Sequence, residues 1–125
     1  MSESRVLVVD DDGGLRLALG TTLSNAGLEV RAVGDAAAMR QELGEWKPDL
    51  LLLDVVLPDA DGVQLLQELK ASEAWREIPV LMISARTPTE MTELALGLGA
   101  ADVIKKPFRP REMLARVQAQ LRLHA

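Results

Sequence analysis

The stretch Leu50-Leu51-Leu52-Leu53-Asp54 consists of four consecutive leucines followed by an aspartate. A short apolar run without polar alternation is typical of a strand that is buried on both faces, as in parallel sheets covered by helices on each side. Val6–Val9 and Val80–Ile83 have the same character, and Val103–Ile104 is a shorter example. The pattern therefore predicts the inner strands of a parallel sheet.

A fifth segment, Leu28–Val33, alternates apolar and polar residues, which predicts an edge strand with one solvated face. Stretches with helical periodicity separate the strands, and they are Leu15–Leu23, Asp35–Trp46, Val63–Ser72, Thr89–Leu98 and Pro110–Leu123. Strict β–α alternation predicts one α/β domain, a doubly wound five-stranded parallel sheet with right-handed crossovers and helices on both faces.

The predicted helices carry start and stop signals. Asp35 is placed to cap the second helix, Asp61-Gly62 begins the third, and Thr87-Pro88 precedes the fourth. The glycines predicted to end helices in the left-handed conformation are Gly27, Gly97 and Gly99.

Composition excludes several classes of function. The chain has 125 residues and a net charge of −5, so we predict one domain that does not itself bind nucleic acid or an anionic membrane. It has no cysteine and one histidine, His124, which argues against thiol catalysis, zinc sites and Ser-His-Asp triads. No apolar run approaches the roughly 20 residues of a membrane span, and we expect a cytoplasmic protein.

Charged and hydroxyl side chains follow the predicted strands. Asp10-Asp11-Asp12 comes after the first strand, Asp54 ends the third, Ser84 follows the fourth, and Lys105-Lys106-Pro107 follows the fifth. Ligands of such sheets bind beyond the carboxyl ends of the strands. Converging carboxylates favour a bound cation, and an all-oxygen set favours Mg²⁺. Ser84 and Lys106 could then hold the oxygens of a phosphoryl group on Asp54.

Each motif taken alone has a simpler interpretation. An aspartate cluster after a strand is more often a solvated turn with a helix cap, Ser84 a turn residue, and Lys106 a surface lysine before a bend. The occurrence of all of them at the same ends of neighbouring strands favours a site. Strand alternation predicts that Lys105 points away from it.

Over almost its full length the chain resembles the receiver (phosphoacceptor) domain of two-component response regulators. The matching stretches are Val6–Asp12, Leu51–Gly62, Ile78–Ala85, Gly99–Asp102 and Lys106-Pro107-Phe108. This resemblance implies a flavodoxin-like strand order, 2-1-3-4-5, and a single receiver domain over residues 1–125.

By the same resemblance, Asp54 accepts a phosphoryl group from the phosphohistidine of a histidine kinase or phosphotransfer protein. Asp11 and Asp54 are implied to bind Mg²⁺ directly, Asp10 through water, and Val56 through its backbone carbonyl. Such a domain is not an enzyme on other substrates: it catalyses only phosphotransfer to, and hydrolysis from, its own aspartate.

The resemblance also gives roles to the residues around the phosphoryl group. Ser84 is implied to be the switch residue and Lys106 the phosphoryl-binding lysine, with a cis bond to Pro107 and with Ala85 leaving room beside the phosphoryl oxygens. The other expected roles are helix capping for Asp12 and control of the phosphoryl lifetime for Val56 and Arg86. We hypothesise that the apolar Val56 disfavours rapid hydrolysis.

Three features depart from the family pattern. Val103 stands where the family usually has the Tyr or Phe of its switch. Gly13-Gly14 replaces better helix formers and predicts a weak start to helix 1, at about 1 kcal/mol per helical glycine. The last departure concerns a homodimer through helix 4, strand 5 and helix 5: Asp102, Glu112 and Arg116 match its charges, whereas Thr92 replaces a basic partner.

Two alternatives remain open at this point. Asp10-Asp11-Asp12-Gly13 also fits the start of haloacid-dehalogenase phosphatases, with Asp10 as nucleophile and Asp12 as general acid. The other alternative is a pseudo-receiver, an interaction module that keeps the fold without phosphorylation.

Two predictions concern the whole chain. The last helix runs to Leu123 without a stop signal, which suggests the N-terminal receiver of a longer regulator with an unknown output domain. Six of the 19 acidic residues lie in two loops at one end of the sheet, a concentration that we assign to the Mg²⁺ pocket; they are Asp10, Asp11, Asp12, Asp54, Asp59 and Asp61.

Overall fold

The computed structural model describes residues 3–85 and 89–124, without the side chains of residues 89–91. Its strands are β1 (Arg5–Val9), β2 (Glu29–Val33), β3 (Leu50–Asp54), β4 (Val80–Ser84) and β5 (Asp102–Lys105). Its helices are α1 (Gly13–Asn25), α2 (Ala36–Glu45), α3 (Gly62–Ala71), α4 (Thr89–Gly97) and α5 (Pro110–Leu123). All ten predicted elements are present, and their ends differ from the prediction by at most two residues.

The five strands form one parallel sheet in the order β2-β1-β3-β4-β5, which confirms the order implied by the resemblance. β3 and β4 are buried at every position, as their uninterrupted apolar sequences predict. The edge strand β2 has no fully buried residue and exposes Arg31 and Ala32, so the predicted edge position is correct.

Side chains alternate across the sheet and form two apolar cores. One core joins Leu51 and Leu53 of β3 to helices α2, α3 and α4, and the other joins Leu50 and Leu52 to α1 and α5. Helices therefore cover both faces, three on one side and two on the other. Burial of this apolar surface is the main force that stabilises the sheet.

The local signals were correct except at one glycine. Gly27 and Gly99 have positive φ angles of 89° and 104°. Gly97 does not: it is the last residue of α4, and Gly99 makes the left-handed turn instead. Helix α1 begins regularly at Gly13 despite its two glycines. The predicted signals at Thr87 and Pro88 lie outside the described residues.

None of the described helices is long and apolar enough to cross a membrane.

Candidate functional site

Asp10 and Asp54 lie side by side at the carboxyl edge of the sheet. Val9 pairs with Leu53 across β1 and β3, so Asp10 and Asp54 follow at the same level, where the two strands end. Asp10 is fully buried, and Asp54 is 5% exposed. Carboxylate oxygens of Asp10, Asp11 and Asp54 lie within 4.8 Å of one another. The structure thus brings together the three predicted acidic residues.

Lys106 reaches this cluster from the end of β5. Its Nζ lies 2.9 Å from Asp10 Oδ2 and donates a hydrogen bond of 3.1 Å to Asp54 Oδ2. Lys105 is exposed, as strand alternation predicts. The bond between Lys106 and Pro107 is cis, the geometry that the resemblance implies.

The carboxylate of Asp10 is only partly satisfied by the protein. Its Oδ1 accepts a hydrogen bond of 2.9 Å from the main-chain N–H of Asp12. Its Oδ2 is close to Lys106 by distance, but no residue that the structure describes gives it a well-oriented hydrogen bond. One ammonium faces three carboxylates here, so Lys106 alone leaves the cluster with an excess of acidic groups. The donor set, which consists of carboxylate oxygens, fits a hard divalent ion such as Mg²⁺.

The site shifts the pKa values of two groups in directions that matter for chemistry. Burial raises the pKa of Asp54, and the neighbouring Asp10 adds to this, while hydrogen bonds from Val56 and Lys106 act against it. Burial lowers the pKa of Lys106, but the hydrogen bonds and charges of Asp10 and Asp54 outweigh that effect and raise it. Lys106 is therefore a permanent cation near neutral pH, and Asp54 is a carboxylate whose charge is poorly solvated.

The loop after β3 holds Asp54 in place. The main-chain N–H of Val56 donates a hydrogen bond of 3.1 Å to Asp54 Oδ1, and Val56 forms an isolated β-bridge with Asp61. Gly62, the first residue of α3, packs against the main chain of Asp54 so tightly that a Cβ there would collide with its carbonyl oxygen and lie 2.6 Å from the Cα of Val55. The glycine is required by this close approach rather than by an unusual φ angle.

A cavity of about 420 Å³ opens beside Asp54. Its lining is Asp11, Asp54, Val55, Val56, Asp61, Ser84, Ala85 and Lys106. Ser84 is buried at the end of β4, and Ala85 is exposed. Val56 is 62% exposed at the rim. The cavity is large enough for a small anionic group bounded by a carboxylate, a hydroxyl and an ammonium.

Three of the six acidic residues assigned to the pocket accept hydrogen bonds at the start of a helix, and one of them is Asp61, which accepts from the N–H of Val63 and caps α3. Asp12 Oδ1 accepts a hydrogen bond from the N–H of Leu15 and caps α1, as predicted. Asp59 accepts hydrogen bonds of 2.8 and 3.0 Å from the N–H groups of Ala36 and Ala37. These bonds lower the pKa of Asp59. The assignment of Asp59 to the Mg²⁺ pocket was wrong, because the start of α2 lies close enough to bind it.

Several predicted residues lie away from the cluster. Val103 is half-buried and packs against the core that faces α4. Asp102 Oδ2 lies 2.9 Å from Arg116 Nη1, so these two charges pair within one chain. Glu112 is exposed on α5. Arg86 lies outside the described residues.

Sequence reasoning missed one side chain beside the site. Arg16 Nη1 donates a hydrogen bond of 2.7 Å to the carbonyl oxygen of Asp10. An arginine six residues after an aspartate has no distinctive pattern, since helical surfaces commonly carry arginine. Only the folded chain shows that its side chain turns back towards the acidic loop.

Comparison with known proteins places these features in a family. The family model of the response regulator receiver domain matches residues 6–118. The chain is 43% identical over 117 residues to the transcriptional regulatory protein GltR of Pseudomonas aeruginosa, covering 94% of this chain and 48% of that protein. It is 40% identical over 118 residues to the DNA-binding response regulator MtrA of Mycobacterium tuberculosis, covering 94% of this chain and 50% of that protein.

The fold agrees with solved structures. The crystal structure of a putative response regulator from Chloroflexus aurantiacus has a TM-score of 0.89 and 31% identity, covering 97% of this chain and 99% of that one. The chain spans about half the length of the curated relatives it matches. The comparisons give no support to the haloacid-dehalogenase or pseudo-receiver alternatives.

Proposed function

The chain belongs to the response regulator receiver domain family of two-component systems, and from that premise we propose that Asp54 is its phosphoacceptor. The main support for this proposal is that Asp54 contacts Lys106, lies beside Asp10 and Asp11, and lines a cavity together with Ser84. The chemistry proposed here modifies the protein itself.

In the proposed reaction, an Asp54 carboxylate oxygen attacks the phosphorus of a phosphohistidine. The new O–P bond forms as the P–N bond breaks, and the electron pair of that bond returns to the histidine nitrogen. Burial of Asp54 limits the solvation of its charge, and the hydrogen bond from Val56 to Oδ1 holds the carboxylate in one orientation. Both effects make one oxygen available at a fixed place.

Mg²⁺ fits this site, and Asp11, Asp54 and the backbone carbonyl of Val56 would hold it directly, with Asp10 acting through water. When bound, Mg²⁺ supplies charge neutralisation for the acidic residues and the phosphoryl oxygens. The partly satisfied Asp10 Oδ2 supports this assignment.

Lys106 and Ser84 complete the proposed phosphoryl site. In the structure the Lys106 ammonium donates a hydrogen bond to Oδ2 of Asp54, the residue that would carry the phosphoryl group. On phosphorylation we expect Lys106 to pair with a phosphoryl oxygen and Ser84 to donate its hydroxyl to another, while the small Ala85 leaves room. Val103 supplies no aromatic ring to this rearrangement, so we propose that Ser84 and the loop before α4 transmit it.

The haloacid-dehalogenase alternative also disagrees with the geometry. It needs Asp12 as general acid next to a nucleophilic Asp10. The Asp12 carboxylate caps α1, and Asp10 is fully buried behind Lys106. Asp54, which that alternative leaves unexplained, lines the cavity instead.

Labelling with acetyl phosphate and Mg²⁺ tests the proposal. Intact mass should show addition of one phosphoryl group to the wild-type chain and none to Asp54→Asn. Retention of labelling in Asp54→Asn would point to Asp10 and overturn the assignment. A pseudo-receiver is tested separately, because it should show no spectral or oligomeric change with Mg²⁺ and beryllofluoride at saturating concentrations.

We further propose that the phosphodonor is a histidine kinase or phosphotransfer protein and that the chain acts within a longer regulator. Relatives about twice as long support this, and one of them is named as DNA-binding. A homodimer through α4, β5 and α5 would use Asp102, Glu112 and Arg116. The bond between Asp102 and Arg116 within one chain would then open or be shared with the second copy.

A further inference from the structure

Arg16 is a basic side chain that contacts the main chain of the acidic loop, residues 10–12, which follows β1. It lies on the first turn of α1, and its guanidinium turns back to donate a hydrogen bond of 2.7 Å from Nη1 to the carbonyl oxygen of Asp10. That carbonyl belongs to the peptide group that joins Asp10 to Asp11. The bond therefore fixes the peptide plane from which the Asp11 side chain departs.

Asp10 is held at its other polar atoms as well. Its N–H donates a hydrogen bond of 3.1 Å to the carbonyl oxygen of Val33, and its Oδ1 accepts one from the N–H of Asp12. Its Oδ2 lies 2.9 Å from Lys106 Nζ. Arg16 donates the hydrogen bond that the carbonyl oxygen of Asp10 accepts, directly after the end of β1. Without it, the carbonyl oxygen of Asp10 would lose its hydrogen bond to Arg16, and the orientation of the peptide between Asp10 and Asp11 would be less restrained.

Gly34 leaves space for the guanidinium. A Cβ at Gly34 would lie 3.0 Å from Arg16 Nη1 and 3.6 Å from Cζ. The φ angle of Gly34 is not positive, so an L-residue would meet no backbone strain there. The space beside the turn after β2 is thus occupied by Arg16, and an added methyl group would push Nη1 away from Asp10.

We propose that Arg16 is a positioning residue that, together with Gly34, orients Asp11 for Mg²⁺ binding. This inference rests on the proposed function, because it assigns Arg16 to the same metal site. A guanidinium suits the role, since it is always charged and its planar donors keep one direction. When a group that holds a metal ligand in position without contacting the metal is removed, the affinity for the metal typically falls by about 10-fold or more.

The test is a Mg²⁺ titration followed by amide chemical shifts of the chain. The variants are Arg16→Met, Gly34→Ala and the double variant, with Arg122→Met as the control because it removes the same charge from the last turn of α5. We expect the dissociation constant to rise about 10-fold in Arg16→Met. In Gly34→Ala we expect a rise of about threefold, because the hydrogen bond lengthens without loss of the charge.

The double variant separates positioning from general damage. Once the arginine is gone, the methyl group at position 34 has room, so the double variant should bind Mg²⁺ as Arg16→Met does. Independent losses would multiply to about 30-fold, and that result would overturn the proposal. Arg122→Met should bind Mg²⁺ with the wild-type dissociation constant, because Arg122 lies in the last turn of α5 and does not line the cavity beside Asp54.

The outcomes also distinguish this inference from the proposed function. If wild type and Arg122→Met bind Mg²⁺ while Arg16→Met binds equally well, the role of Arg16 is overturned and the metal site stands. If wild type does not bind Mg²⁺, the metal site itself is refuted and this inference with it. Thermal melts without Mg²⁺ should agree among the variants within about 4 °C, which keeps a folding defect from being read as lost positioning.

Discussion

Asp54 is held by neighbours that leave its carboxylate little freedom. Lys106 binds one oxygen, the N–H of Val56 binds the other, and Gly62 packs against its main chain. The proposed reaction needs this rigidity, because Asp54 would present an oxygen to a phosphodonor and would then hold the phosphoryl group at a fixed place.

Gly62→Ala tests the close packing behind Asp54. The new methyl group would collide with the main chain of Asp54 and Val55, so β3 or the start of α3 must move. We expect the free energy of unfolding to fall by about 2 kcal/mol and labelling by acetyl phosphate to slow. Chemical denaturation measures the first effect and intact mass the second. Gly44→Ala is the control, since a Cβ there meets no atom within 4 Å, and equal behaviour of the two variants would contradict the packing argument.

Val56→Asn tests access of water to the phosphoryl group. Val56 lies at the rim of the cavity and offers no hydrogen bond to an attacking water, whereas an asparagine amide could orient one. We expect the phosphoryl lifetime to shorten by about a factor of 10 in the variant. Leu17→Asn is the matched control, because Leu17 is similarly exposed but does not line the cavity. A wild-type lifetime of only seconds that is unchanged in Val56→Asn would count against this role.

Helix α2 shows how one element depends on a distant loop. Its first N–H groups are bound by two aspartates: Asp35 accepts from Ala38, and Asp59 accepts from Ala36 and Ala37. Asp59 comes from the loop after β3, so the bonds tie the loop that follows Asp54 and carries Val56 to the start of α2. The helix start also favours negative charge.

Asp59→Ala should therefore destabilise the fold in a pH-dependent way. The pKa of Asp59 is lowered in the folded state. Its contribution to the free energy of unfolding is therefore fully present above the unfolded pKa of about 3.9, and it is lost as the pH falls through the lower folded pKa. We expect the variant to melt at a lower temperature than wild type near pH 7, with the difference shrinking below pH 4.

Glu73→Ala removes an exposed acidic side chain and serves as the control for Asp59→Ala. Its melting temperature should stay close to that of wild type across the same pH range. A difference between Asp59→Ala and wild type that is constant down to the most acidic pH would contradict the capping role.

The elements were predictable where local and global demands agree. Leu50–Leu53 and Val80–Ile83 are apolar throughout because both of their faces are covered, and the structure buries them completely. Gly97 failed as a stop signal because two glycines, two residues apart, compete for one left-handed turn, and pattern alone does not decide between them. Asp59 binds the N–H of Ala37, which lies 22 residues away in the sequence, and no local pattern encodes such a contact. The contact of Arg16 with the carbonyl oxygen of Asp10 depends on the direction that its side chain takes in the folded chain, which the sequence pattern does not show either.

At the scale of the whole molecule, the negative charge of the chain is concentrated where a cation is expected. Asp10, Asp11 and Asp54 lie within reach of one ion, and Lys106 alone among the described lysines offsets them by an ion pair. Their mutual repulsion is a cost that the fold carries in the absence of a divalent cation. Binding of Mg²⁺ should relieve this cost and stabilise the domain.

Mg²⁺ at ten times its dissociation constant should raise the melting temperature of wild type by about 5 °C, because that occupancy contributes about 1.4 kcal/mol. Asp11→Asn should lose most of this gain, and Glu73→Gln should keep it. Differential scanning fluorimetry with and without a chelator measures the shift. An equal gain in all three proteins would indicate a non-specific salt effect and would refute the acidic cluster as the metal site.

The most direct test of the central claim is to locate the phosphoryl group. After labelling with acetyl phosphate and Mg²⁺, reduction with borohydride converts a phosphorylated aspartate into homoserine, which tandem mass spectrometry assigns to one position. We predict homoserine at position 54, with Asp10 and Asp11 unchanged. Homoserine at position 10 or 11, or a labelled chain with Asp54 intact, would contradict the account.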